Sequence, residues 1–290
     1  MNVRKPPWLK QEIRATPGGG EVRAVLAELG LNTVCREAGC PNRNSCFSEG
    51  TATFLILGNI CTRSCKFCNI AGGVPEEPDP DEPERLAEAS RRLGLSHVVV
   101  TSVTRDDLPD GGADHFVRTI EALRKSLPEA TLEVLIPDFG GDRQSLNLVL
   151  KAAPDVLNHN IETVPKLYDR VRPGANYQRS LDILERSRGR VFAVKSGIML
   201  GLGESRSQLE NSFRDLAERG VIILTLGQYI APSAQHYPVA EFLPPSEFEK
   251  LAESAREAGI PEVVSGPLVR SSYRAGSTLK KLKRRRKSLE

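Results

Sequence analysis

The stretch ATFLILGNICTRSCKFCNI (52–70) decides the fold of this chain. Residues 52–57 form a short apolar run, which is typical of a buried parallel strand. A loop with three cysteines, Cys61, Cys65 and Cys68, follows the run directly and has the spacing C-x3-C-x2-C. We therefore predict that the run is the first strand of an α/β fold. The loop would then leave the carboxyl end of that strand, where α/β barrels place their active sites.

Five more apolar runs follow the first one, and segments with helical spacing separate them. After the second run, Phe116, Ile120 and Leu123 fall on one face of a helix. Six alternating strands and helices predict a parallel sheet with helical crossovers, either doubly wound or a full or partial barrel. The predicted strands span residues 52–57, 97–103, 132–136, 156–161, 191–199 and 221–230.

Two segments fall outside this alternation, and we interpret them as extensions wrapped on one domain. Residues 1–50 form the N-terminal extension, 51–259 the alternating core, and 260–279 the C-terminal extension. The final residues, 280–290, carry seven Lys or Arg side chains and one acid. Because like charges repel one another, we expect this tail to be disordered, with contact to an acidic protein or a nucleic acid as the alternative.

The composition is that of an ordinary globular protein, with 39% hydrophobic and 27% charged residues and a net charge of +3. The apolar runs are far shorter than the ~20 residues that span a bilayer. The N-terminal stretch MNVRKPPWLKQEIR is charged and lacks the apolar core of a secretory signal. We therefore expect a cytoplasmic protein with reduced thiols and no membrane partner.

All six cysteines lie between positions 35 and 68, in two triplets. The first triplet, Cys35, Cys40 and Cys46, has the spacing C-x4-C-x5-C, and the second is that of the loop after the first strand. Disulfides do not suit a cytoplasmic chain of this size, and zinc prefers four ligands, often as paired C-x2-C units. Iron–sulfur ligation fits better, because three thiolates on a four-iron cluster leave one iron open.

The second triplet resembles the signature of the radical S-adenosylmethionine superfamily, including an aromatic residue, Phe67, before its last cysteine. The resemblance implies that Cys61, Cys65 and Cys68 hold a 4Fe–4S cluster whose open iron binds S-adenosylmethionine. Reductive cleavage of S-adenosylmethionine would then yield a 5′-deoxyadenosyl radical.

Longer stretches resemble the lipoyl synthase family within that superfamily. Phe47 and Leu55 depart from the family pattern, which commonly has tryptophan and methionine there, but neither is a predicted ligand. The resemblance covers nearly the whole chain outside the basic tail and implies a partial (β/α)6 TIM-like barrel with N- and C-terminal extensions. The matching stretches include LNTVCREAGCPNRNSCFSEGTATFLILGNICTRSCKFCNI (31–70), VTSVTRDDLPDGGADHF (100–116) and SGPLVRSSYRAG (265–276).

The same resemblance implies a sulfurtransferase that inserts two sulfur atoms, at C6 and C8, into a protein-bound N6-octanoyl-lysine to form the lipoyl cofactor. Acid–base catalysis does not serve such unactivated C–H bonds, whereas a cofactor radical does. An auxiliary 4Fe–4S cluster on Cys35, Cys40 and Cys46 would donate the sulfur. The family's RSSY motif, here residues 270–273, implies Ser272 as the ligand of its fourth iron; without the resemblance, a serine that caps a turn is the alternative.

Four polar residues at or near predicted strand ends are candidates for S-adenosylmethionine contacts: Ser102, Asn160, Glu162 and Lys195. Each of them could instead satisfy a loop backbone or a neighbouring charge. The implied partners are an octanoylated lipoyl carrier domain or the glycine cleavage H protein, an electron donor such as ferredoxin or flavodoxin, and a carrier that repairs the auxiliary cluster.

Two other functions remain open at this point. One is a two-cluster radical enzyme that thiolates a nucleic-acid base and uses the basic tail as an anchor, although a nucleic-acid partner is disfavoured. The other is an iron–sulfur electron carrier or redox sensor without enzymatic activity.

Overall fold

A computed structural model of the chain describes residues 5–10, 18–48 and 51–288. The α-helices are α1 (Gly18–Glu28), α2 (Val34–Glu37), α3 (Arg43–Ser48), α4 (Glu82–Arg92), α5 (Ala113–Ser126), α6 (Arg143–Lys151), α7 (Tyr168–Val171), α8 (Tyr177–Ser187), α9 (Arg206–Glu218), α10 (Pro245–Glu257) and α11 (Ala275–Lys287). The strands are β1 (Asn32–Thr33), β2 (Thr53–Ile56), β3 (Ile60–Cys61), β4 (Ala71–Gly72), β5 (His97–Ser102), β6 (Thr131–Leu135), β7 (Val156–Asn158), β8 (Ala193–Leu200), β9 (Ile223–Gln228) and β10 (Glu262–Gly266). Short 3₁₀ turns occupy Pro7–Leu9, Phe139–Gly141 and Pro165–Leu167.

The central sheet has the strand order β1-β2-β5-β6-β7-β8-β9-β10. β1 is antiparallel to β2, and every other neighbouring pair in this sheet is parallel. β1 and β10 are the edges of this sheet, and within the described ranges they form no ladder with each other, so the barrel stays open between them. The α/β prediction with a parallel sheet is therefore confirmed, and the barrel is a partial one.

Alternation along each strand separates the helix-facing core from the barrel interior. Val98 and Val100 of β5 pack outward in one apolar core with Leu86 of α4 and Phe116 of α5. A second core joins β8 and β9 to α9 and α10. The residues between these outward positions, such as Lys195 on β8, face the interior. The fold thus surrounds a polar interior with apolar walls.

The C-terminal extension supplies one more parallel strand than the six predicted. β10 pairs with β9 in register from Glu262↔Ile223 to Gly266↔Gly227. The run EVVSG is short and ends in a small polar residue and a glycine, so its apolar signal was weak. Strand pairing, which sequence periodicity does not report, brings these residues into the sheet.

The prediction that residues 280–290 are disordered is wrong for residues 280–287, which belong to α11. Leu279 and Leu282 pack in an apolar group with the first residues of β7, β8 and β9. The helix therefore covers the amino end of the barrel. The residues it covers there are Val156, Ala193 and Ile223.

Ion pairs neutralise much of the helix's charge. Lys281 and Arg285 both bind Glu262, with N–O distances of 2.7 and 3.2 Å. Lys283 binds Asp155 at 2.9 Å. The run of basic residues predicts that these side chains repel one another. The fold instead places Glu262 and Asp155 beside them, and these acids lie outside the run in sequence. No helix in the described part of the chain has both the length and the apolar character needed to cross a bilayer.

We expect Leu279→Ala to lower the free energy of unfolding by about 2–5 kcal/mol, because Leu279 is 1% exposed and its removal leaves a cavity at the barrel floor. Urea unfolding followed by circular dichroism measures this change. Lys280→Ala, on the next and exposed position of α11, is the matched control and should change stability by less than about 0.5 kcal/mol. Equal effects of the two substitutions would contradict the packing of α11 on the barrel.

Candidate functional site

The loop with the second cysteine triplet leaves the carboxyl end of β2, as predicted. Cys61 lies in β3, which pairs with β4 and so fixes both ends of the loop 61–72. The Cys61 sulfur accepts hydrogen bonds from the backbone N–H groups of Arg63 at 3.4 Å and Thr104 at 3.3 Å. Between Cys65 and Cys68 the backbone makes a turn, closed by a 3.1 Å hydrogen bond. We call residues 61–70 the cluster loop.

Ion pairs hold the cluster loop to the loops after β5 and β6. The Arg63 guanidinium binds Asp106 at 2.6 Å and Asp138 at 2.7 Å. Asp138 is almost fully buried and also binds Arg179 at 3.1 Å. Burial alone would raise the pKa of the Asp138 carboxyl, but the hydrogen bond and charge of Arg63 outweigh it and lower this pKa to about 2.

Backbone contacts clamp the other side of the same loop. The Tyr237 N–H donates to the Lys66 carbonyl at 2.7 Å, and the Lys66 N–H donates to the Val171 carbonyl at 2.9 Å. The His236 ring bonds to the Cys68 carbonyl at 3.1 Å. The loop is therefore held on several sides before any cofactor binds.

Burial raises the pKa of the Cys65 thiol and raises that of Cys68 to about 12. The charges of the three thiols influence one another in these shifts, so the second triplet shares one small region. All six cysteines are free. In the described ranges no three His, Cys, Asp or Glu side chains are arranged around a single-ion site. Three thiolates on a four-iron cluster bind three different irons and so stand farther apart than the ligands of one ion.

The first triplet lies on α2, on α3 and in the turn between them. Cys35 is buried, whereas Cys40 and Cys46 are partly exposed. The Cys40 N–H donates to the Cys35 carbonyl at 3.1 Å, and Cys40 is close enough that its charge acts on the Cys35 thiol. Burial raises the pKa of the Cys35 thiol, and the neighbouring Thr53, the first residue of β2, acts against this rise. The first triplet therefore lies beside the open edge of the barrel.

Ser272 lies in residues 267–274, which we call the C-terminal segment and which follow β10. The Thr53 hydroxyl donates to the Ser272 hydroxyl at 2.7 Å. The Asn42 side chain donates to the Leu268 carbonyl at 2.6 Å. The structure thus brings Ser272 together with the region of the first triplet, although more than 200 residues separate them in sequence.

A glycine in β9 makes room for this segment. A Cβ on Gly227 would lie only 2.1 Å from the Val269 carbonyl oxygen. The Arg270 guanidinium donates to the same carbonyl at 2.6 Å and lies within electrostatic reach of Cys40. The segment leads from the end of β10, past Thr53, to α11 at the amino end.

Asn160 and Glu162 lie together just beyond β7. The Asn160 side-chain N–H group donates to Glu162 at 3.1 Å and to the Ser271 hydroxyl at 2.6 Å. Glu162 has φ +65°, a conformation that is uncommon outside glycine and often marks functional sites. Burial raises the pKa of the Glu162 carboxyl, and that carboxyl acts electrostatically on Cys65 and Cys68.

Three buried polar atoms of residues at or beyond the carboxyl ends of β5 and β7 have no partner in the described structure: Ser102 Oγ, Asn160 Oδ1 and Arg172 Nε. The other end of Arg172 donates to the Asn160 carbonyl at 2.9 Å. Buried polar atoms normally have hydrogen-bond partners, so these positions suit a polar ligand. The fit with the amino-acid and ribose parts of S-adenosylmethionine is good.

Lys195 is differently placed. Its Nζ lies 2.8 Å from the Glu133 carboxylate, and both side chains are almost fully buried in the barrel interior. Glu133 already neutralises its charge. The prediction that Lys195 contacts S-adenosylmethionine stays untested, and the contact with Glu133 is the only ion pair that Lys195 makes in the described residues.

Sequence reasoning missed Thr53 and Ser271 as parts of the site. Neither residue type carries a chemical signal in a strand or a turn. Ser271 stands beside Ser272 in RSSY, and that adjacency was the only signal that could have pointed to it.

The model of the Radical SAM superfamily matches residues 55–216 of this chain. A lipoyl synthase of Nitratidesulfovibrio vulgaris is 55% identical over 276 residues, 95% of this chain and 93% of that protein. A lipoyl synthase of Chlorobium phaeovibrioides is 53% identical over 279 residues, 96% of this chain and 98% of that protein.

The chain belongs to the lipoyl synthase family. The resemblance predicted from the sequence is thus confirmed, and with it the enzyme class, a radical S-adenosylmethionine sulfurtransferase. Sulfur insertion is the reaction of the lipoyl synthases, and their superfamily uses S-adenosylmethionine and a 4Fe–4S cluster.

Solved structures share the fold of this lipoyl synthase family member at low identity. Streptococcus suis SuiB bound to the precursor peptide SuiA matches with a TM-score of 0.58 and 12% identity, over 92% of this chain and 58% of that one. HydG, a maturase of the [FeFe]-hydrogenase, matches with a TM-score of 0.56 and 14% identity, over 78% and 61%. The chain therefore spans about three fifths of the length of these two structures.

We expect Asp138→Asn to lower the free energy of unfolding at pH 7 by about 2 kcal/mol, because it removes the depressed pKa of about 2 and the ion pair with Arg63. A depressed carboxyl pKa stabilises the fold above the unfolded pKa of about 4, and this stabilisation is lost as the pH falls from about 4 towards 2. Denaturant titrations of both proteins from pH 7 to pH 3 measure the difference. The exposed Asp169→Asn is the control, and a difference that does not change with pH would contradict the ion pair's role.

Proposed function

We propose that this chain inserts two sulfur atoms, at C6 and C8, into an octanoyl group held on a lysine of a carrier protein, with one cysteine triplet for the radical and one for the sulfur. One observation carries this proposal. The Thr53 hydroxyl donates to Ser272 at 2.7 Å beside the Cys35 thiol, so the first triplet and the Ser272 hydroxyl, which come from opposite ends of the chain, lie on one side of the barrel. Four ligands of that kind suit a second iron–sulfur cluster.

The second triplet, Cys61, Cys65 and Cys68, would hold the cluster that binds S-adenosylmethionine. When bound, these groups supply the 5′-deoxyadenosyl radical that abstracts hydrogen from an unactivated carbon. The chain's own contribution is positional. Backbone N–H groups donate to the Cys61 sulfur and lower the cost of its negative charge, and burial of Cys68 keeps water away.

Asn160, Glu162 and Ser102 would hold S-adenosylmethionine, and Arg172 supports them. Asn160 Oδ1 and Ser102 Oγ are buried without a partner, so each can bind a ligand donor at no loss of a protein bond. Glu162 places a carboxylate near the cluster loop, where it can accept from amino or hydroxyl groups. Lys195 is the fourth proposed contact, with its ammonium group held by Glu133 at 2.8 Å.

The first triplet and Ser272 would hold the auxiliary cluster. The Ser272 oxygen is a harder and weaker ligand for iron than a thiolate, which suits a cluster that must give up sulfide. The Thr53 hydroxyl donates to this oxygen at 2.7 Å and so orients it and stabilises its charged form. Arg270, near Cys40, offers a positive charge beside a cluster with several anionic ligands.

The partners follow from this chemistry. The octanoyl group would be presented by a lipoyl carrier domain or the glycine cleavage H protein. Ferredoxin or flavodoxin would supply electrons, and a cluster-repair carrier would rebuild the auxiliary cluster. We place the reaction in the cytoplasm, because six free thiols call for a reducing compartment.

The direct test incubates anaerobically reconstituted protein with an octanoyl-lysine peptide, S-adenosylmethionine and dithionite. We expect mass spectrometry to show the gain of two sulfur atoms by the peptide. An unchanged peptide alongside accumulating 5′-deoxyadenosine would overturn the substrate and keep the radical chemistry. No deoxyadenosine at all would overturn both.

Substitutions in the two cysteine triplets should have different effects on iron content and activity. We expect about eight irons per reconstituted wild-type chain and about four in Cys40→Ala, which would still cleave S-adenosylmethionine but insert no sulfur. Cys65→Ala should also lose about four irons and form no deoxyadenosine. Iron assays and electron paramagnetic resonance measure these contents. If Cys40→Ala keeps eight irons, the first triplet does not hold a cluster.

A further inference from the structure

Hydrogen bonds and the peptide link between Ser271 and Ser272 connect the two parts of the site. The connection starts at Glu162, which acts electrostatically on Cys65 and Cys68. The Asn160 side-chain N–H group donates to Glu162 at 3.1 Å and to Ser271 at 2.6 Å. One amide group therefore binds a residue of the cofactor region and a residue of the C-terminal segment.

The next residue in the C-terminal segment extends this connection to the first triplet. Ser272 accepts a hydrogen bond from Thr53 at 2.7 Å, and Thr53 lies beside the Cys35 thiol. Because Ser271 and Ser272 are covalent neighbours, a shift of one hydroxyl moves the other. A change in the position of Asn160 would therefore displace Ser272, the proposed auxiliary ligand.

Close packing leaves Asn160 little freedom. A Cβ on Gly197 would lie 2.8 Å from Asn160 Oδ1, so β8 approaches the amide as closely as a glycine allows. Gly227 lets the C-terminal segment approach β9 closely, because a Cβ at this position would lie only 2.1 Å from the Val269 carbonyl oxygen. Packed elements of this kind transmit a displacement and do not absorb it.

We propose that Ser271 is a positioning residue that couples S-adenosylmethionine binding to the placement of Ser272. The inference rests on the function proposed above, which puts S-adenosylmethionine beside Asn160. Both protein hydrogen bonds of that side chain use its N–H group, and Oδ1 is left without a partner. A ligand that donates to Oδ1 therefore binds the same amide that donates to Ser271, so the two contacts depend on one orientation of the Asn160 side chain.

The coupling has a use in the reaction. Sulfur transfer requires the radical carbon and the auxiliary sulfide to meet, and that geometry depends on where Ser272 holds the cluster. By linkage, a C-terminal segment in the correct position must also favour S-adenosylmethionine binding. An enzyme arranged in this way binds S-adenosylmethionine best when its sulfur donor is in place.

Hydrogen–deuterium exchange on the reconstituted two-cluster protein tests the coupling without any turnover. In the wild type, S-adenosylmethionine should slow exchange of the amides in residues 267–274 about fivefold or more. In Ser271→Ala at saturating S-adenosylmethionine, this slowing should be lost while protection of the cluster loop remains. Ser271→Thr, which keeps the hydroxyl, should restore it.

A matched control is Ser277→Ala, which removes a hydroxyl from α11, six residues further along the chain. It should leave both protections unchanged. Loss of the Ser271 bond should also weaken S-adenosylmethionine binding by about two- to tenfold at unchanged iron content, and raise the ratio of deoxyadenosine formed to sulfur inserted.

The outcomes separate this inference from the proposed function. If Ser271→Ala keeps the wild-type slowing of residues 267–274, the coupling is refuted even where sulfur insertion succeeds. If the wild type itself shows no slowing of those residues, the coupling is equally refuted. If the wild type holds only about four irons or inserts no sulfur, the proposed function fails, and the exchange experiment still reports whether the segment responds to S-adenosylmethionine.

Discussion

The hydrogen bond from the Thr53 hydroxyl to Ser272 is the contact on which the arrangement of the site depends. Thr53 opens the first strand of the barrel, and Ser272 belongs to the segment that follows the last one. Within the described residues the edge strands β1 and β10 do not pair, so this side-chain contact, and not a backbone ladder, ties the C-terminal segment to the opposite side of the gap. A continuous ladder there would close the barrel and leave no place for the C-terminal segment beside the first triplet.

The open edge and the covered floor are two consequences of the same chain path. After β10 the chain passes Thr53 and then forms α11, whose Leu279 fills the amino end of the barrel. The polar interior is thus shut from below and bounded at the side by the C-terminal segment. The carboxyl end, where the cluster loop is held by Arg63 and its acids, lies opposite this covered floor.

The sequence was informative wherever the signal was local. The spacing of Cys61, Cys65 and Cys68 indicates a ligand motif, and the apolar runs indicate the parallel strands. Both signals depend on residues that are near one another in sequence. The disorder predicted for residues 280–287 is wrong, because Glu262 and Asp155, which neutralise their charge, are distant in sequence. For the same reason neither strand β10 nor the ion pair of Lys195 with Glu133 could be predicted. Contacts between strands do not appear in the periodicity of the sequence.

In the proposed auxiliary site, a serine beside three cysteines would have a physical advantage. A hydroxyl binds iron weakly, and an ordinary serine ionises with difficulty, so an isolated serine would hold a cluster poorly. Donation from Thr53 favours the ionised oxygen, and the bond between Ser271 and Asn160 restricts where that oxygen can stand. Weak ligation combined with precise placement lets the donor cluster be held in one position and still be opened. Four thiolates would bind more tightly, but they would give up the lability that sulfur donation requires.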